Sequence, residues 1–433
     1  MARPQDDETD AVVEEALTHN RRIASARAAV RDASARRRVA RAGLLPAAGF
    51  EGGYTFADQS INSPAGAGPL IGAGIVDRDI EFWNGTVSAQ WDLDLFGGAR
   101  RLDEAARARV QQSIAARDAV ALGVVAETVA AWIELNGALA RFERVSANVE
   151  AQQRTVDIIE RQANVGLARP LDALRAASQR DATASTLPTL QASIDAAAWR
   201  LGVLTGRSID ELAASADTRG ADGALNDLSQ IDLPAVDAAY LRQRPDIAAA
   251  ERNLAAAVAE VGVSEASFWP QIWLTGSVGL ESASLGDLAQ GNSRALGLAP
   301  RLSLPLFQGG ALRAGRDAAL ARADVAYRDL EEILAASFAE ARSAARQVDG
   351  ARAALAQLQT AVEAAQEAEN IAAKRFELGL GSFLGLLDAQ RERLRLEEQL
   401  IATNTQFRLA ISRLFTSLGG DAPALLPTLA STP

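Results

Sequence analysis

The sequence predicts a mainly α-helical chain in which long antiparallel coiled-coil helices are joined to four β-strands. Three observations predict this fold class. The chain repeats itself once in tandem, each copy contains two short segments of alternating apolar and polar residues, and each copy then runs for more than 60 residues without a proline. Alternation with a period of two is typical of a strand, whereas long proline-free runs rich in Ala, Arg, Glu and Leu favour a helix.

The internal repeat organises the chain. Residues 11–46 align with residues 235–270 at a constant offset of 224, and Leu93–Gly98 aligns with Leu304–Gly309 at an offset of 211. A duplicated unit of about 200 residues is longer than a solenoid repeat, so we expect two equivalent halves arranged around an axis.

The composition excludes several classes of function. The 433 residues include no cysteine and one histidine, His19, so the usual parts of a thiol or serine-histidine active site and of a zinc cluster are missing. The net charge is −11 and no basic cluster alternates with aromatic residues, which argues against a nucleic-acid partner. We therefore predict neither an enzyme nor a cofactor site.

Each copy begins with a helix and continues into two strands. The predicted helices, 11–45 and 235–268, each end at a proline, which cannot continue the helical hydrogen bonds. The four predicted strands are 47–57 and 82–95 in the first copy, and 270–282 and 294–306 in the second. The fourth strand has the weakest pattern because two prolines interrupt it.

Long helices follow the strands, at 99–165 and 310–378. A helix of this length extends for roughly 100 Å, which no ordinary globular domain accommodates. Glycine-containing turns lead into return helices at 171–204 and 383–418. The second long helix carries a heptad seam of small and aliphatic residues, which predicts close coiled-coil packing: Leu312, Ala319, Ala323, Ala326, Leu330 and Ile333.

The helix lengths predict that the helices of each copy pack side by side as the wall of a tube. The first helix and the return helix of one copy together equal the long helix, so the two shorter helices can lie end to end beside it. The predicted organisation is an N-terminal stub (1–10), repeat 1 (11–205), an equatorial linker (206–234), repeat 2 (235–419) and a C-terminal tail (420–433).

Four strands are too few to close a barrel, for which about eight is the practical minimum, so several chains must contribute. The strand pattern alone leaves two alternatives open, a membrane barrel and a small soluble sheet with an aromatic core. Aromatic residues near the strand ends fit a bilayer interface: Phe82, Trp83, Trp91, Trp269 and Trp273.

Four motifs resemble one known family. Tyr240–Leu280, Trp91–Arg101, Leu304–Gly310 and Gly379–Arg391 are similar to landmarks of the TolC-like outer membrane efflux proteins, the outer membrane factors of RND tripartite pumps, and of their NodT subgroup in particular. The resemblance covers about residues 11–420. It implies a homotrimer in which four strands from each chain form a 12-strand transmembrane barrel above a periplasmic helical tunnel.

The resemblance also implies function, partners and location. We expect the outer-membrane channel of a tripartite efflux system, which conducts substrates passively and contacts outer-membrane lipid, a periplasmic adaptor and an inner-membrane RND transporter. The alternatives are a soluble coiled-coil scaffold and a type I secretion duct of the same fold. Family members of this type begin with a signal peptide and a lipidated cysteine, and the first ten residues here have neither feature. We therefore expect this chain to represent the body of the duct without its anchor.

The resemblance implies a periplasmic gate in the second return helix. Leu384 would form an apolar ring, and Asp388 with Arg391 would form a charged latch. The alternative is an ordinary i, i+3 ion pair on a solvated helix. The first copy has Arg175 where the second has Asp388, so the two halves differ at this point.

The two glycine turns would form docking tips for the adaptor. The residues that the resemblance assigns to them are Val165, Gly166, Leu167, Leu378, Gly379 and Leu380. The alternative is that the glycines end the helices and the apolar side chains pack locally.

Overall fold

The fold is known from a computed structural model, which describes residues 7–60, 70, 71, 73–75, 77–166, 168–206 and 242–420. Its helices are α1 Asp7–His19, α2 Arg21–Ala42, α3 Gly98–Asn164, α4 Pro170–Ala184, α5 Leu187–Thr205, α6 Pro245–Ala266, α7 Ala311–Glu377 and α8 Phe383–Ser417. Its strands are β1 Ala47–Asp58, β2 Asp79–Asp92, β3 Gln271–Ser282 and β4 Arg294–Ser303. Most of the predicted linker, most of the stub and the tail beyond residue 420 lie outside the described residues.

The first helix differs from the prediction because it is two helices, α1 and α2, rather than one helix over 11–45. Asn20 separates them. Its Oδ1 accepts a hydrogen bond from the backbone N–H of Arg22 at 2.9 Å, and its Nδ2 donates to the carbonyl of Leu204 at 3.1 Å. Asn20 thus caps α2 and also satisfies a carbonyl near the end of α5.

The return helix of the first repeat is also divided, where the sequence predicted one helix over 171–204. Pro188 lies in the first turn of α5 and has no N–H to donate to the carbonyl four residues earlier. The return helix of the second repeat contains no proline and is continuous as α8. The break is therefore a difference between the two repeats.

The strands form one antiparallel sheet in the order β1-β2-β3-β4. The pairs Ala47 with Gln90 and Gln271 with Ser303 lie at one end of this sheet. Helices α2, α3, α6 and α7 all join the strands at that end, since β1 and β3 start there and β2 and β4 finish there. No helix in the described part of the chain is long and apolar enough to cross a membrane.

The chain divides into two compact units. One lies within Met1–Ala28, Ala115–Ala248 and Glu331–Pro433, and the other comprises Ala29–Ile114 and Ala249–Leu330. In the first unit, a cluster of buried residues from α1, α3 and α5 includes Trp132 and Leu135. In the second unit, two residues of the predicted small-residue seam of α7, Ala319 and Ala326, are buried.

Candidate functional site

The turn between α7 and α8 is built by the backbone of the C-terminal end of α7. Gly379 has a φ of +71°, its N–H donates to the carbonyl of Phe376 at 3.0 Å, and the N–H of Leu380 donates to the carbonyl of Arg375 at 2.8 Å. This pair of bonds is a Schellman motif, which favours glycine at the left-handed position. Ser382 then caps α8 by accepting a hydrogen bond from the N–H of Gly385 at 3.2 Å.

The turn between α3 and α4 uses a similar glycine. Gly166 has a φ of +78°, and its N–H donates to the carbonyl of Ala163 at 3.0 Å. Pro170 begins α4, where a missing N–H costs nothing. Leu167, which the sequence assigned to this tip, lies outside the described residues.

The apolar side chains of both turns are exposed. Val165 is 70% exposed, Leu378 is 73% exposed and Leu380 is 69% exposed. Neither turn therefore buries these side chains within its own hairpin, which is what a surface for a partner requires. Lys374 is exposed in the last turn of α7, where its carbonyl accepts the N–H of Leu378 at 3.1 Å.

A small core lies behind the turns and joins the two hairpins. Its buried members come from α3, α4 and α8: Val156, Ile159, Ala176, Phe383 and Leu387. The ring of Phe383 also packs against Phe376 of α7, with 5.6 Å between ring centroids. Packing thus holds Phe383 and Leu387 at the start of α8. Leu384, which lies between these two residues, is 41% exposed.

The charged residues of the predicted gate lie together. Nη1 of Arg391 is 3.8 Å from Oδ1 of Asp388, and both side chains are largely exposed. Arg391 has a second partner, since its Nε donates to Oε1 of Gln179 on α4. The guanidinium of Arg391 therefore links a carboxylate on its own helix to an amide on the return helix of the other repeat.

The first repeat has a different pair at the equivalent place. Nη1 of Arg175 lies 3.9 Å from Oδ1 of Asp172, so the order of charges within the pair is the same but the position differs by three residues. Gln179 was not among the predicted site residues. No local pattern marks it, because its partner Arg391 lies on the return helix of the other repeat.

A nearly buried ion cluster ties α7 to α8 around Arg393, two residues after Arg391 in the chain. Arg393 is 17% exposed and donates to Glu369 on α7 and to Glu397 on α8, the latter at 2.5 Å. Burial alone would lower the pKa of the Arg393 guanidinium, but its hydrogen bonds to Glu397 and Glu369 raise that pKa above its ordinary value. The cluster stays charged and holds the two helices together.

A second cluster centres on Arg244, just before α6. Its guanidinium binds Asp246 through two hydrogen bonds of 3.1 and 2.9 Å, and it also donates to Glu340 and to the carbonyl of Ser417. Burial acts to raise the pKa of the Asp246 carboxyl, but the hydrogen bonds and positive charge of Arg244 hold that pKa below its ordinary value. Arg244 thus joins the start of α6 to α7 and to the end of α8.

The strand register separates an apolar face of the sheet from a polar one. Directly paired residues share a face, and Phe50, Val87, Val278 and Leu296 form one row across all four strands. These four side chains are exposed. The neighbouring row contains Gly49, Ser88, Ser277 and Gly297, which points to the other face.

The register divides the predicted interface aromatics between the two faces. Trp83 and Trp91 lie on the apolar face, whereas Phe82 pairs with Thr55 and Trp273 pairs with Asp92, which places them on the polar face. Because successive side chains of a strand point to opposite faces, Phe82 and Trp273 cannot share the surface of Trp83 and Trp91. Trp269 precedes β3 and stacks on Phe96, with 5.4 Å between ring centroids.

Comparison with known proteins identifies the family. The family model described as outer membrane efflux protein matches residues 12–207 and 238–420. The chain belongs to this family. Outer membrane protein OprJ of Pseudomonas aeruginosa is 30% identical to this outer membrane efflux protein over 419 residues, 96% of this chain and 84% of OprJ.

A second relative and a solved structure also match most of the chain. Toluene efflux pump outer membrane protein TtgF of Pseudomonas putida is 29% identical over 416 residues, 94% of this chain and 82% of TtgF. The solved structure of the outer-membrane channel OprN is 30% identical, with a TM-score of 0.84 over 96% of this chain and 91% of OprN. This outer membrane efflux protein accordingly has the fold of a TolC-like channel and is an outer membrane component of an efflux system.

Proposed function

We propose that three copies of the chain form a passive channel whose 12-strand barrel lies in the outer membrane. The main support for this barrel is the strand register, which places exposed apolar side chains on one face of the sheet and polar side chains on the other. Strands β1 and β4 are the edges of the sheet and need partners. Pairing β4 of one copy with β1 of the next closes a barrel whose apolar face meets lipid.

The helices support the same assembly. Large apolar side chains are exposed along α7, including Leu334, Phe338 and Ile371. An isolated chain would present these side chains to water, whereas neighbouring copies would cover them. The helices of three copies would then enclose a periplasmic tunnel that continues the barrel.

The channel performs no chemistry of its own and takes its energy from its partners. The exposed tips at Val165, Leu378 and Leu380 are the proposed contacts for a periplasmic adaptor, which would connect the channel to an inner-membrane transporter. Apolar tips of this size suit a tip-to-tip contact that buries them in the assembled pump.

The gate proposal rests on Arg391. In a trimer, three copies of Asp388 near the axis would repel one another unless a cation lies beside each, and Arg391 provides that cation. Its bond to Gln179 additionally restrains α8 against α4. Leu384 would narrow the same opening with an apolar side chain. Opening would require α8 to move away from α4, which breaks the Gln179 contact.

Conductance in planar bilayers tests both the proposed channel and the proposed gate. The wild-type protein should be a heat-resistant trimer that inserts and conducts weakly, and Asp388→Ala and Arg391→Ala should each conduct more. Arg395→Ala is the matched control because Arg395 binds Glu392 on its own exposed helix surface. Conductance of Arg391→Ala equal to that of the control would remove the gate assignment. Purification as an elongated monomer without detergent would instead favour the soluble scaffold.

A further inference from the structure

The end of the sheet that joins the helices carries a local excess of positive charge. The twelve residues nearest the sheet in each of α2, α3, α6 and α7 together contain twelve arginines and six carboxylates, although the whole chain has a net charge of −11. All four segments belong to the same compact unit. The excess is therefore concentrated in one band beside the sheet.

About half of these arginines are neutralised by a carboxylate. The ion pairs are Arg36 with Asp32, Arg37 with Asp103, Arg100 with Asp94, Arg101 with Glu104, Arg109 with Glu260 and Arg316 with Asp317. Within the described ranges, the other six arginines have no carboxylate within ion-pair distance, and all six are exposed: Arg31, Arg38, Arg41, Arg107, Arg313 and Arg322. Three of these, Arg38, Arg41 and Arg313, lie within about one turn of the helix ends that meet the sheet and are here called the free arginines.

Exposed apolar residues separate the free arginines from the sheet. Leu45 lies between Arg41 and β1, and Leu306 and Phe307 lie between β4 and Arg313. Leu306 and Phe307 are each 89% exposed. From the sheet towards the helices, the surface therefore changes from apolar strands to an apolar border and then to unpaired guanidinium groups. This order matches that of a bilayer leaflet, in which acyl chains are followed by anionic headgroups.

We propose that the free arginines bind the headgroup phosphate of an anionic phospholipid at the boundary between neighbouring copies. This inference rests on the proposed barrel. The helix before β1 carries Arg38 and Arg41, and the helix after β4 carries Arg313, so pairing of these two edge strands between copies brings the three arginines to adjacent helices. Guanidinium groups bind phosphate oxygens in a bidentate manner, and Arg38 and Arg41 are spaced to lie on the same helix face. The occupant is thus a bilayer lipid, and a trimer would hold three such sites.

The test measures how strongly spin-labelled phosphatidylglycerol associates with the full chain, relative to spin-labelled phosphatidylcholine, in vesicles of equal parts of the two lipids. Wild type should prefer phosphatidylglycerol, and Arg38→Gln with Arg41→Gln should lower the relative association constant by about fivefold for each arginine. Arg144→Gln with Arg154→Gln is the matched control, since it removes the same charge from exposed helix positions in the other compact unit. The control should keep the wild-type preference.

Any other outcome overturns the headgroup site, its lipid occupant or the proposed barrel. An equal association of both lipids with the inserted wild type, or an equal loss in the control variant, overturns the headgroup site. Displacement of phosphatidylglycerol by inorganic phosphate, at an ionic strength matched with chloride, overturns the lipid as occupant and leaves a free-phosphate site. Failure of the wild type to insert into any vesicle overturns the proposed barrel instead, so the two proposals fail separately.

Discussion

Arg391 donates a hydrogen bond through its Nε to the side-chain carbonyl oxygen of Gln179, which lies 212 residues earlier in the chain. The bond joins the return helices of the two repeats at the level of the predicted gate. Gln179→Ala should therefore raise channel conductance, since it frees α8 from α4 without changing any charge. Gln179→Glu should lower conductance below wild type because a carboxylate binds the guanidinium more strongly.

The control for this gate prediction is Gln191→Ala. Gln191 donates within its own helix, to Asp195 at 3.0 Å. The double variant Gln179→Ala with Arg391→Ala should conduct no more than Arg391→Ala alone, because both changes remove the same contact. Additive increases would show that Gln179 acts elsewhere.

The two faces of the sheet should respond differently to a charge. Val87 and Ser88 are neighbours in β2, and the register places them on the apolar and polar faces. Val87→Lys should destabilise the inserted state by about 2–4 kcal/mol if Val87 faces the bilayer centre, whereas Ser88→Lys should cost much less. Urea titration of the protein folded into vesicles measures both. Similar costs for the two variants would contradict a lipid-facing apolar surface.

Asp94 should stabilise the start of α3. It has a φ of +43°, and its carboxylate accepts hydrogen bonds from the N–H groups of Ala99 at 2.8 Å and Arg100 at 3.0 Å. Asp94→Ala removes both acceptors and should cost about 2 kcal/mol. Asp94→Asn should cost less because asparagine tolerates positive φ and keeps one oxygen. Thermal unfolding compares them with Glu104→Ala, which loses only an exposed pair; equal losses in Asp94→Ala and Glu104→Ala would exclude the cap.

Acid should weaken the Arg244 cluster. The folded-state pKa of Asp246 lies below its unfolded value, so between these two values the unfolded chain binds more protons. The stabilisation is fully present above roughly pH 4 and is lost as the pH falls through the folded-state pKa. Melting temperature measured between neutral and acidic pH should fall less steeply for Asp246→Asn than for wild type. A parallel fall would show that Asp246 does not contribute to the acid sensitivity.

The regular elements were predictable because their signals are local. Alternation between Phe82 and Leu93 located β2, and the absence of proline located both long helices to within a few residues. The helix breaks were missed for different reasons. Pro188 was visible in the sequence but was overlooked, whereas the role of Asn20 depends on a carbonyl 184 residues away.

The site was predictable only where its partners are near in sequence. Asp388 and Arg391 lie one helical turn apart, so their pairing follows from spacing. Gln179 and the Arg393 cluster depend on which helices pack together, and local spacing carries no information about that. Asp94 was visible within a recognised motif, but its positive φ and its capping role needed the backbone geometry.

Lys374 gives the protein a single lysine side chain for chemical labelling. It is the chain's one lysine, and it is exposed one turn before the apolar tip at Leu378. Besides the α-amino group of the chain, an amine-reactive fluorophore will therefore modify a single side chain, beside the surface where a partner is expected, with no engineered cysteine. Changes in its emission can report docking in the wild-type sequence.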